Sequence, residues 1–202
     1  MPDQSSTRIR LEFEELVLDR PKKRWNLYFV VASEHPEDGD RFVYAIVPKL
    51  FVPVRPPANN VVDFSPDGDG GEGMMILERD MPKDRSISVF TWLMHSRNRT
   101  RSSGDLLKAI ASMLSKSNEV EHVGSILGGG IPWVAVTKAA FGGLEIVGKV
   151  LKRLPDRNLG FLSMGEVFGN EFENEVERDR SNGLSTGFGR MTWTWSASSN
   201  AD

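Results

Sequence analysis

The chain has 202 residues, 39% of them hydrophobic, and its 25 Lys and Arg against 28 Asp and Glu leave a net charge of -3. That is enough apolar material for a sizeable core, and too little positive balance for a protein that binds nucleic acid by bulk charge. There is no cysteine, which excludes disulfides, thiolate catalysis and cysteine-ligated metal sites.

The start, MPDQSSTRIR, has no apolar run behind a basic stretch. No secretory signal is expected, and a cytoplasmic location is expected over a secreted one. Residues 8–18 alternate Ile9, Leu11 and Phe13 against Arg10, Glu12 and Glu14, then change phase to Leu16 and Leu18. This predicts a strand with one face in the core and a bulge at the phase change. Further strands are predicted over residues 25–32, 41–54, 61–64, 74–79 and 86–95. Pro48 and Pro53 make 41–54 an edge strand or a broken one.

Residues 103–153 read differently. Leu106, Leu107, Ile110 and Leu114 recur at helical spacing behind Ser103 or Asp105 as cap, and the helix should end near residue 118. From 123 to 151 the only charges are Lys138, Glu145 and Lys149. There a second helix is predicted from Pro132 to about Arg153, with Gly128, Gly129 and Gly130 as the joint. Two more strands follow at 158–168 and 188–197, separated by a charged loop at 169–185. Short strands between Gly, Pro, Asp and Asn turns, with no helix alternating between them, give the expected fold. It is mainly β: an antiparallel β-sandwich of about eight strands over residues 8–197, with 103–153 as a helical insertion between strands six and seven. Residues 1–7 and 198–202 are expected to be loose termini. The core should draw on Leu11, Phe13, Leu27, Phe29, Val31, Val89, Leu159 and Trp193.

The second helix would place Trp133, Val136, Phe141, Leu144, Val147 and Leu151 on and around one apolar stripe. Such an area must be covered by the sandwich, a second subunit, a partner or lipid, so an interaction site is expected there. Pro132, Lys138 and Glu145 interrupt it too often for a spanning helix. Two acidic loops offer oxygen ligands for calcium: Asp38 and Asp40 beside Glu34 and Glu37, and Asp67 and Asp69 in DGDGGEG. An EF-hand does not fit, because Glu72 stands where glycine is required; acidic Gly-rich turns are the plainer reading. Basic clusters at Arg20, Lys22, Lys23, Arg24 and at Arg97, Arg99, Arg101 read as solvated turns or as contacts to phosphate. Gly183-Leu-Ser185-Thr-Gly187 has the spelling of a nucleophile elbow, but a strand-like segment follows it where the elbow needs a helix. His35, His95 and His122 are too scattered for a local metal motif.

With about eight strands, two acidic loops and the short strand LPDRNLGF at 154–161, the chain resembles a C2-type β-sandwich over residues 8–102 and 154–197. That resemblance implies a module for phospholipid or protein binding, often calcium-dependent. Calcium-binding members carry an Asp-x-Asp pair at the end of the sixth strand, and here that stretch reads Trp92-Leu-Met-His-Ser96. The expected function is therefore a non-catalytic interaction module with no cofactor. It would act in protein assembly, with a partner or as a homo-oligomer, or at an anionic membrane surface, and not on nucleic acid. The alternatives are a calcium-dependent phospholipid-binding domain and a hydrolase with a cleft beside the insertion.

Overall fold

β1 (Thr7–Leu18) has both edges paired in the computed structural model, which describes residues 7–19, 25–34, 41–54, 60–64, 73–97, 102–115, 122–128, 131–137, 140–172 and 177–199. β13 (Gly189–Ser199) runs antiparallel along one edge, and β5 (Met74–Asp80) and β4 (Val61–Asp63) share the other. β12 (Arg178–Gly183) adds beyond β13 and completes the first sheet. The β1–β13 ladder slips between Phe13 and Glu15, which is the bulge that the phase change predicted. The slip lets Leu16 and Leu18 return to the side of Ile9, Leu11 and Phe13, and all five are fully buried. Where β13 enters this ladder, a Cβ on Gly189 would collide with the backbone carbonyl of Val17, so only glycine allows the approach.

The second sheet has the order β10 (Arg157–Ser163), β7 (Val89–His95), β2 (Trp25–Glu34), β3 (Arg41–Val54), β9 (Ile131–Thr137), β8 (His122–Gly128), all antiparallel. β6 (Ser86–Ile87) and β11 (Glu166–Val167) form a separate pair. Two segments read as single strands are thus each divided: 86–95 into β6 and β7, and 158–168 into β10 and β11. β3 is broken as Pro48 suggested, for its register against β2 jumps from Val47 opposite Phe29 to Val52 opposite Leu27. Pro53 lies beyond Ala45, the last β3 residue paired to β9, so its missing N–H breaks no ladder on that side.

Alternate residues of β2 serve two cores. Leu27, Phe29 and Val31 join the inward residues of the first sheet, including Phe13, Trp193 and Trp195, in one buried cluster. Tyr28, Val30 and Ala32 face the other way, into a second cluster with Phe42, Tyr44, Trp92 and Met94. The second cluster is closed by Leu106 and Ile110 of α1 (Ser103–Ser115) and by Val147, Val150 and Leu151 of α2 (Ala140–Arg153), with Leu154 just beyond. Ile110 lies four beyond Leu106, and Val150 and Leu151 lie three and four beyond Val147, so each helix turns one apolar stripe to the sheet. The cap of α1 is Ser102, one residue earlier than expected. Its hydroxyl accepts from the Asp105 N–H at 3.1 Å and donates to Asp105 Oδ2 at 2.7 Å. All eight residues expected in the core are buried.

The region 103–153 is not purely helical. β8 and β9 form a strand pair between α1 and α2, and Pro132 lies opposite Leu127 in it. The helix expected from Pro132 begins only at Ala140, because Val134, Val136 and Thr137 are β-branched and gain a partner strand in β3. The charged segment 169–185 also departs from the loop reading, with one 3₁₀ turn at Asn170–Phe172 and the strand β12. β12 reads RDRSNG and owes its extended state to the ladder with β13 rather than to its own propensity. The ends reach slightly further than expected, since Thr7 opens β1 and Ser199 closes β13.

Candidate functional site

The residues expected to share one apolar stripe fall on two kinds of element. Trp133 and Val136 are on β9, opposite Ala45 and Phe42 of β3. Residues three apart share a face on a helix but not on a strand, so these two do not extend the α2 stripe. Phe141, Leu144, Val147 and Leu151 are on α2. Val147 is 0% exposed and Leu151 1%, packed on the second sheet, and for these two the covering partner is the chain's own β-sheet. The side chains of Trp133, Val136, Phe141 and Leu144 lie outside the described residues, as do the calcium candidates Asp38, Asp40, Asp67 and Asp69. Among the described residues no group of acidic and histidine side chains is arranged to hold a metal ion. No helix among them is long and apolar enough to cross a membrane.

The sheet edges differ sharply in how they are protected. An edge strand offers unpaired N–H and C=O groups to any extended chain, unless charge, proline, shortness or a cover prevents it. β12 carries Arg178, Asp179 and Arg180, and the two arginines take the register positions of the inward Trp195 and Trp193. β5 carries Glu78, Arg79 and Asp80, and β4 is only three residues long. β10 is capped by the β12–β13 turn. Ser185 N–H donates to the Phe161 carbonyl at 3.1 Å, Ser185 Oγ accepts from Phe161 N–H at 3.0 Å, and the Thr186 hydroxyl donates to the Leu159 carbonyl. Ser185, the serine of the elbow-like spelling, is thus a turn residue between two strands and plugs a sheet edge.

Among the described edges β8 differs: its seven residues carry no Asp, Glu, Lys, Arg or Pro. From His122 to Thr137 there is no Asp, Glu, Lys or Arg. β8 is the last strand of its sheet, and although it passes near β5 it makes no ladder with it.

A second polar arrangement sits where β2 begins, β7 ends and α2 leads into β10. Asp156, 8% exposed, accepts from the Tyr28 hydroxyl at 2.8 Å and from the Arg97 backbone N–H at 3.2 Å. Beside it, His95 stacks at a tilt on Trp25, 5.9 Å between centroids, and its Nδ1 accepts from the Asn26 N–H at 3.3 Å. Burial, aided by Arg97 and Arg157, holds the His95 pKa below its ordinary value, against the opposing pull of the Asn26 carbonyl and Asp156. Sequence reading missed this group, because Tyr28 and Asp156 are 128 positions apart and neither belongs to a local motif.

The outer face of the first sheet is a mosaic of both signs. A cleft of about 330 Å³ there is lined by Arg8, Arg10, Glu78, Glu177, Ser196 and Ser198. Its cations are already engaged, Arg8 to Glu78 at 2.8 Å and Arg10 to Glu12 at 2.9 Å, so it presents no net positive site. Next to it burial pushes the Glu14 carboxyl pKa up, a hydrogen bond with Thr194 opposes this, and Asp179, Glu177 and Asp63 push it further up. A raised carboxyl pKa means that the folded state keeps this proton after the unfolded chain has lost it. Its contribution is therefore full at acid pH and is lost as pH rises from 4.5 through the folded value. Glu14→Gln is expected to stabilise the protein at neutral pH by about 0.5 kcal/mol, the scale of a partly exposed charge interaction. It should also flatten the stability profile in that window, as read from chemical unfolding across pH; a neutral-pH loss of stability in the variant would contradict this.

No protein-family model matches the chain, and no curated protein matches it significantly.

Proposed function

We propose that the chain is a non-catalytic interaction module. In this reading the two sheets form a β-sandwich of the C2 kind, with 103–153 inserted between β7 and β10, and the module assembles with a second copy of itself through β8. The observation that carries the reading is the contrast among the described edges: charge, shortness or a capping turn guards the others, and β8 is an uncharged seven-residue strand that ends its sheet. A second copy suits this edge. Antiparallel pairing of β8 with itself sets no like charges against each other, since its one ionisable residue, His122, stands at the strand end.

The test is light scattering of the full chain over a wide concentration range. Wild type should associate reversibly, and Ser125→Lys with Leu127→Lys should stay monomeric while keeping a cooperative unfolding transition. Phe141→Glu with Leu144→Glu checks the adjoining helix and should weaken association more than it weakens the fold. A wild type that is monomeric at every concentration, or a lysine variant that associates equally well, would overturn the reading. Unfolding of the glutamate variant together with a monomeric wild type would make the insertion ordinary core.

A further inference from the structure

Charge is unevenly placed on a chain whose net balance is negative. Leu27, His95 and Arg157 stand in one row across β2, β7 and β10, so the start of β2, the end of β7 and the start of β10 share one end of the second sheet. α2 finishes at Arg153 and reaches the same end through Leu154, Pro155 and Asp156. Five cations are exposed on these segments: Arg97, Lys149, Lys152, Arg153 and Arg157. Of the nearby acids, Asp156 is buried on Tyr28, while Asp19 is exposed. Lys152 and Arg153 have an ordinary structural reason to be there, since they sit on the negative end of a helix. Arg97 and Arg157 have no such reason, because they follow or open strands. Arg157 is held with its guanidinium carbon 4.8 Å from the centre of the Phe188 ring. In sequence, Arg24 directly precedes Trp25, and Arg99 and Arg101 follow Arg97, so more positive charge is tethered to the same segments.

We propose that this end of the second sheet, through Arg97, Lys152, Arg153 and Arg157, docks on an anionic lipid surface by contact with phosphate-bearing headgroups. Lipid is favoured over nucleic acid because the tryptophans near it, Trp25 and Trp92, are each 5% exposed and cannot stack on bases. The cations also come from the ends of separate elements, an arrangement suited to a broad charged plane rather than to the track of one phosphate backbone. The inference is independent of contact through β8.

Co-sedimentation of the full chain with vesicles tests it. Wild type should bind vesicles of phosphatidylcholine and phosphatidylserine in equal parts at low ionic strength, lose them at high salt, and ignore pure phosphatidylcholine. Lys152→Gln with Arg153→Gln should weaken binding by about 25-fold, or about five-fold per cation. Arg97→Gln with Arg157→Gln should do the same from the strand side, so a folding defect in one pair does not decide the matter. Arg8→Gln, at the opposite end of the molecule, should leave binding unchanged. Three results would overturn the proposal: no binding of wild type to the anionic vesicles, unchanged affinity in both double variants, or tighter binding to a DNA duplex than to the vesicles.

Discussion

Phe29→Ala is expected to lower the free energy of unfolding by about 3 to 5 kcal/mol, the cost of deleting a large side chain from a core that cannot collapse around the gap. Phe29 is 1% exposed on the central strand of the second sheet and reaches across to the first. Its ring meets Phe13 edge-on at 4.9 Å and Phe64 at 5.8 Å. The substitution therefore removes the ring that joins β2, β1 and the segment after β4, and edge-to-face pairs add about 0.5 to 1.5 kcal/mol beyond area. Chemical denaturation with the slope held common to both proteins measures it. A loss below about 1 kcal/mol would show that the two sheets do not share one core through this residue.

The same residue shows why so much of the β framework was legible. Period-two alternation is a property of the strand itself, so Leu11 and Phe13, Leu27 and Phe29, and Trp193 could be placed inward before any partner strand was known. The bulge after Phe13 was legible for the same reason, as a phase change in that alternation. Elements that depend on their neighbours were not. β12 is polar throughout and becomes a strand only by lying against β13. The segment from Ile131 to Thr137 suits either a helix started by proline or a strand of β-branched residues, and the open edge of β3 decides between them. The continuous apolar run of β2 carries a further signal, burial on both faces, which implies a third layer over the second sheet. That layer is α1 and α2, so the apolar stripe of the insertion is partly explained by a core within the chain, at Val147 and Leu151. That β8 is an edge is not legible either, because strand order in a sheet is not written in any local pattern.

Asp156→Ala carries the other large effect. The carboxylate takes the Tyr28 hydroxyl at 2.8 Å on one oxygen and the Arg97 backbone N–H at 3.2 Å on the other, in a group only 8% exposed. Hydrogen bonds to a charged group contribute about 1.5 to 3 kcal/mol each, and removing their shared acceptor is expected to cost about 2 to 4 kcal/mol in all. Asp156→Asn, which keeps acceptor capacity, should lose less, and Tyr28→Phe combined with Asp156→Ala should lose clearly less than the sum of the two. Asp156 fastens the α2–β10 connection to the middle of the sheet, so the loss should concentrate there. Hydrogen exchange should quicken in the last turns of α2 and in β10 before it does in the β1–β13 ladder. The exposed cations Lys152, Arg153 and Arg157 are carried on that connection. If the variant keeps its stability within about 0.5 kcal/mol and its exchange pattern, the carboxylate is not a fastening and the basic end is positioned by helix packing alone.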